Sequence, residues 1–177
     1  MFVVSPSGLT KPEYLRLKPS CGLFSFFILL LIKWSYLSSK IMEKIVQLRV
    51  AKIPGIIGII AVHYWFVIVK DNQFERWEIW QRANRGKQSW GHLHKNLMPH
   101  DRGVGNGDSW VESQWLGNRA DFLRKIIENT PQIYPYNYQY RYYPGPNSNT
   151  YVQWVLNQGK TNYLLGKKGI GKNYLRS

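Results

Sequence analysis

An α+β fold, an antiparallel sheet packed against two main helices, is what this sequence predicts. Three observations carry the prediction. Residues 45–69 are mostly apolar and β-branched (IVQLRVAKIPGIIGIIAVHYWFVIV) and are followed by a short polar turn and a returning apolar segment, the mark of a strand-led hairpin. After Asn118 the residues Ala120, Leu123, Ile126 and Ile127 fall on one helical stripe. From about Asn149 to Gln158 a second segment of helical period runs until Gly159.

The elements follow in order. A short strand is expected from Val46 to Ala51, a turn at Pro54-Gly55, and a buried strand from Ile57 to Val69. Pro54, Gly55, Gly58 and the polar His63 argue against reading this run as a membrane helix. Lys70-Asp71-Asn72-Gln73 is a turn, and Phe74 to Trp80 is the returning strand. Residues 82–108 are polar and glycine-rich without a sustained period, a long loop or several short strands. Asn118 offers an N-cap with Asp121 three residues on, and Thr130-Pro131 ends the helix. Tyr134, Tyr136, Tyr138, Tyr140 and Tyr142 recur at a spacing of two, so an extended segment would point all five to one side. Pro144-Gly145-Pro146-Asn147-Ser148-Asn149-Thr150 then breaks regular structure and supplies small polar residues that start helices.

The chain has 177 residues and a formal charge of +14, with a single cysteine, Cys21, which excludes an internal disulfide. The length suits one domain, assigned to residues 42–177, preceded by a leader over residues 1–41. Cys21 to Ile32 is strongly apolar, and extended past Lys33 through Trp34 to Leu37 the segment reaches the short end of a bilayer span. With no small-x-small cleavage pattern after it, an uncleaved anchor is preferred to a removed signal. Met42 is also a plausible true start. The chain is membrane-anchored on the first reading and cytoplasmic on the second. Basic residues concentrate at the two ends, where they fit an anionic membrane surface as well as nucleic acid.

Several constellations bear on function. A hydroxyl at a first helical turn faces free N–H groups, which suits a nucleophile and equally an ordinary cap. A hydroxyl nucleophile needs a base, and the base an orienting acceptor; Ser148, His63 and Glu78 supply those roles, with period-two counting placing Glu78 on the same side as His63. A core histidine held by one hydrogen bond is the plain alternative for His63. His92, His94, His100 and Asp101 cluster in GHLHKNLMPHD, but with no cysteine or Glu-rich helix nearby a solvated loop is preferred to a metal site. No cofactor is expected. Gly166 to Lys172 matches the spacing G-x-x-x-x-G-K, yet Asn173 stands where Ser or Thr should hold magnesium and no helix can follow, so triphosphate binding is rejected. The tyrosines are scarcely interleaved with cations, which makes nucleic acid the least favoured partner.

With those residues laid out, the sequence resembles a bacterial family, domain of unknown function 3750. The matching pieces are Ala61-Val62-His63-Tyr64-Trp65, Trp77-Glu78-Ile79-Trp80, Tyr134-Pro135-Tyr136, Tyr143 to Tyr151 and Ile170-Gly171-Lys172-Asn173-Tyr174-Leu175. These segments add Trp65, Tyr143, Asn147, Asn149 and Lys172 as candidate ligand contacts. More distantly, a histidine strand followed by Asn-x-Asn-x-Tyr opening a helix is similar to circularly permuted papain-like proteins, the NlpC-type and lecithin:retinol acyltransferase-like enzymes. That resemblance implies a permuted papain-like fold. It also implies acyl transfer or hydrolysis on an amide or ester, with Ser148 where those enzymes carry cysteine, His63 as base and Glu78 as orienting residue. The substrate would be a small molecule, lipid or peptide. A non-catalytic module binding a ligand or a membrane surface in the same cleft is the alternative.

Overall fold

The computed structural model describes residues 44–174; the leader, its apolar segment and the candidate start at Met42 lie outside the described residues. Six strands form one antiparallel sheet: β1 (Ile45–Lys52), β2 (Val62–Lys70), β3 (Gln73–Ile79), β4 (Ser89–Trp90), β5 (Leu93–Lys95) and β6 (Trp110–Leu116), in the order β4-β5-β3-β2-β1-β6. Two helices, α1 (Gly117–Ile133) and α2 (Ser148–Gln158), pack on one face, α1 over β1 and β6 and α2 over β2 and β3. The α+β architecture is therefore the expected one.

The β2–β3 hairpin is set by its turn. Asp71 and Asn72 both adopt positive φ (54° and 60°), the combination that lets a two-residue loop follow the twist of the strands. Phe66 consequently lies opposite Trp77 and Val67 opposite Arg76. Alternation then sorts β2. Val62, Tyr64, Phe66 and Ile68 face the helices and join Leu48, Trp77, Leu123, Tyr151 and Val155 in the main core. His63, Trp65 and Val67 point to the opposite face, where Trp65 and Val67 pack with Ala51 in a second, smaller cluster.

Four local expectations are corrected. The strand expected from Ile57 begins at Val62, because Ile56–Ile59 closes a 3-10 turn in which the Ile57 carbonyl accepts the N–H groups of Ile60 and Ala61. Helix α1 starts at Gly117, whose φ of +56° turns the chain out of β6, and Asn118 makes no side-chain cap. Asp121 is paired instead with Lys44 at 2.6 Å. That helix also runs past Thr130-Pro131 to Ile133. Proline has no N–H to donate to the preceding turn; here the Thr130 hydroxyl donates to the Ile127 carbonyl at 2.6 Å and replaces it.

The tyrosine segment is the fourth. Residues 134–147 form turns and not a strand. Tyr134 is buried against Tyr151 and Trp154, while Tyr138 is 77% exposed. Asn137 explains the departure. Its side-chain amide donates to the last helical carbonyls of Thr130 and Pro131, and its own carbonyl accepts from His92 N–H. Side chain-to-backbone bonds of this kind outcompete an extended conformation.

Candidate functional site

Glu78 and His63 meet on the face of the sheet away from the helices. His63 Nε2 lies 2.9 Å from Glu78 Oε2, and Arg76 Nη2 lies 2.7 Å from the same oxygen. All three side chains are buried, Arg76 and Glu78 completely. Burial alone would raise the Glu78 carboxyl. The hydrogen bond with His63 and the charge of Arg76 outweigh it and hold the group below its ordinary value. Glu78 is therefore the anion of the set, and its bond fixes the proton of a neutral His63 on Nε2, leaving Nδ1 as the lone-pair nitrogen.

The rest of Arg76 closes the face. Its guanidinium lies 4.1 Å from the centroid of the Trp65 ring, and Nη1 donates to the carbonyls of Pro99 and Arg102. Trp65 Nε1 donates to the His100 carbonyl at 3.1 Å, and the His100 ring stacks on Phe74 at 4.0 Å. The loop after β5 is thereby drawn over the His63–Glu78–Arg76 row. Trp65 and Trp80 flank the imidazole, with centroids 5.6 and 5.5 Å away.

Ser148 enters from the other side, at the first position of α2. Asn147 is the N-cap: its Oδ1 accepts the N–H groups of Asn149 and Thr150, while Thr150 Oγ1 accepts from Asn147 N–H, a reciprocal capping box. Asn147 Nδ2 also donates to the Tyr142 carbonyl at 3.0 Å. Gly171 is required beneath it, because at φ +91° a Cβ there would overlap the Asn147 amide. Asn147→Ala is expected to lower stability by about 1–2 kcal/mol, the upper part of the range for lost caps, measured by urea denaturation; an unchanged midpoint would contradict the capping role.

Asn149 couples helix and strand. Oδ1 accepts from Tyr64 N–H (3.2 Å) and Nδ2 donates to the Val62 carbonyl (3.0 Å), the two backbone groups that bracket His63. A further bond from Nδ2 reaches the Ile170 carbonyl at 2.9 Å. One carboxamide thus docks the start of α2 on the start of β2. Ser148 and His63 line the same cavity, of about 510 Å³, with Val62, Ile79, Trp80 and Tyr143 among its other walls. Burial pushes the Tyr140 hydroxyl, also on the wall, up to about 12, so it remains a donor at neutral pH.

The sequence-derived residues divide accordingly. His63, Ser148, Tyr143, Asn147 and Asn149 line the cavity, and Glu78 sits behind His63. Trp65 and Lys172 are not on the wall: Trp65 is fully buried beneath Arg76, and the Lys172 ammonium donates to the carbonyls of Leu165 and Gly166. Ser148 Oγ donates to Asn149 Oδ1 at 3.4 Å. Arg76 and Trp80 join the site beyond the candidate residues that the sequence predicts. Arg76 carried a usable signal, since it lies two residues before Glu78 and so shares its face.

The four residues of the histidine-rich fragment play separate parts. His94 is buried between Ser89 Oγ and the Arg82 carbonyl, and burial lowers its pKa. His92 bonds the Trp80 carbonyl and stacks on Tyr140, His100 stacks on Phe74, and the Asp101 carbonyl accepts from Ser109. Among the described residues no group of three His, Cys, Asp or Glu is gathered to hold a metal.

Residues 43–174 match the model of a family described as Protein of unknown function (DUF3750). No curated protein and no solved structure matches.

Proposed function

Starting from a chain that belongs to the DUF3750 family of proteins of unknown function, we propose that the cavity is the active site of a hydrolase or acyltransferase acting on an amide or ester. The observation that carries this reading is the buried Glu78–His63 pair directed at the cavity that Ser148 also lines. An anion is costly to bury unless paired, and this one is spent on orienting a histidine at a cavity wall.

Ser148 is the nucleophile. Its hydroxyl leaves Asn149 Oδ1, turns to His63 Nδ1 and attacks the substrate carbonyl carbon as its proton passes to the imidazole. Glu78 stabilises the imidazolium. The tetrahedral intermediate collapses, the C–N or C–O bond breaks, and His63 returns the proton to the departing amine or alcohol. Water, or an acceptor alcohol or amine, then removes the acyl group from Ser148 by the same steps in reverse order. The cap takes the N–H groups of Asn149 and Thr150, which leaves that of Ser148 at the positive end of α2 to face the developing oxyanion. The order of histidine strand, carboxylate strand and Asn-x-Asn-x-Tyr helix start supports kinship with permuted papain-like enzymes, with serine in place of cysteine.

The Ser148–Asn149 hydrogen bond favours a second reading, a cleft that binds the same ligands without reacting. A fluorophosphonate probe separates the two. Labelling is expected at Ser148, at least 100-fold slower in His63→Ala and absent in Ser148→Ala. If folded protein stays unlabelled while Ser148→Cys is alkylated in the same cavity, access is proven and the catalytic reading fails.

A further inference from the structure

We propose that the turn between β1 and β2, Pro54 to Ile60, is a docking site for an anionic lipid surface. Ile56, Ile57, Ile59 and Ile60 are all more than half exposed, Ile56 to 85% and Ile59 to 67%. Single exposed apolar residues are ordinary, but four in one five-residue tip form a contiguous patch of the kind that marks an interaction site. The tip is preformed. Gly58 N–H bonds the Gly55 carbonyl at 3.1 Å, and Gly58 is buried so closely on the Ile53 carbonyl that no side chain fits there. Its apolar side chains are therefore presented with little ordering left to pay for on binding.

The flank of the turn selects the partner. Lys52 and Lys168 line a surface depression together with Gly55, Gly58 and Ile59, and no acidic side chain lines it. Val62 N–H bonds the Lys168 carbonyl at 3.1 Å, which fixes the exposed Lys167-Lys168 pair beside the strand that follows the turn. An apolar tip with cations at its base fits a bilayer interface, where isoleucines enter the acyl boundary and lysines meet anionic headgroups. A second copy of this chain fits less well. Two such faces would oppose their lysines on a chain of formal charge +14, and a five-residue tip falls short of the area that a stable protein interface needs.

The turn also belongs to the cavity. Ile57 is at once exposed and part of the cavity wall, as are Tyr142 and Tyr143. A docked turn therefore places the cavity rim against the lipid. On the reading proposed above, that delivers to Ser148 an ester or amide carried by an acyl chain; docking itself does not depend on Ser148 reacting.

The test uses the full chain with Cys21→Ser and Ile56→Cys, labelled at residue 56 with an environment-sensitive fluorophore. Vesicles of phosphatidylcholine with about 30% phosphatidylglycerol should shift its emission to the blue, and pure phosphatidylcholine vesicles should not. Lys52→Glu with Lys168→Glu should weaken the titration at least tenfold, as two surface cations removed and reversed imply. The same labelled chain carrying Ser148→Ala should dock unchanged, so failure of the catalytic reading leaves this result standing. The leader is identical in every variant and the label reports the turn alone. Cosedimentation with vesicles without a spectral shift would overturn the proposal. So would an equal shift on uncharged vesicles, or a concentration-dependent shift without lipid, which would identify a second copy as the occupant.

Discussion

Replacing Arg76 by Met is expected to lower unfolding free energy by about 3–5 kcal/mol, the scale of a buried ion pair broken at one partner. The guanidinium is fully buried and satisfies Glu78 Oε2 and the carbonyls of Pro99 and Arg102. Methionine fills comparable volume over Trp65 but leaves the Glu78 anion with only His63. Urea denaturation at pH 7 measures the loss, and a change below 1 kcal/mol would show that the network contributes little. The pH dependence gives an independent reading. Glu78 titrates below its ordinary value of 4.5 in the folded chain, so its contribution is complete above that value and is lost as pH falls through the lower folded value. Without Arg76 the folded value rises, and the acid side of the stability profile should move to higher pH.

Asn149→Ala should cost a similar amount for a different reason. The substitution removes two donors and one acceptor at once, orphaning Tyr64 N–H and the carbonyls of Val62 and Ile170. At about 1–3 kcal/mol for each buried group left unsatisfied, and with partial relaxation, a total of about 3–5 kcal/mol is expected. Asn149→Asp keeps the acceptor for Tyr64 N–H but sets a carboxylate against two carbonyls, so it should be no milder at pH 7. Denaturation curves for both variants check this. If Asn149→Asp retained wild-type stability, the donor bonds to Val62 and Ile170 would not be holding helix to strand. Fluorophosphonate labelling of whichever variant remains folded should fall as well, because the same carboxamide sets Ser148 relative to His63.

What the sequence disclosed followed from interactions close along the chain. A two-residue polar turn between β-branched runs fixes one hairpin register, and period two then brings Glu78 to the side of His63. The small polar residues after Pro146 are read directly as a cap, and Asn147 is that cap. The failures occur where a side chain donates to a backbone carbonyl, a bond that neither period nor composition marks. Nothing near Tyr136 or Tyr138 signals that Asn137 will bond the end of α1 and receive His92. Thr130-Pro131 reads as a stop, and becomes a continuation because the hydroxyl takes the role of the missing N–H. Lys172 and Trp65 sit beside residues that do line the cavity, Ile170 and His63, but backbone carbonyls engage both side chains away from it.

The loop drawn over the second face of the sheet has one further consequence. The side chains of Arg76 and Trp65 bond it at the carbonyls of Pro99, His100 and Arg102, and a carbonyl is present whatever side chain its residue bears. These tethers recognise the path of the loop and not its composition. Tolerance to substitution should accordingly be unequal on the two sides of the contact. Residues 99 and 102 are free to exchange as long as the backbone keeps its course, while a single inserted or deleted residue would take the carbonyls out of register. On the strand side the freedom vanishes, since among the standard side chains only arginine can serve two carbonyls and a carboxylate from one planar head.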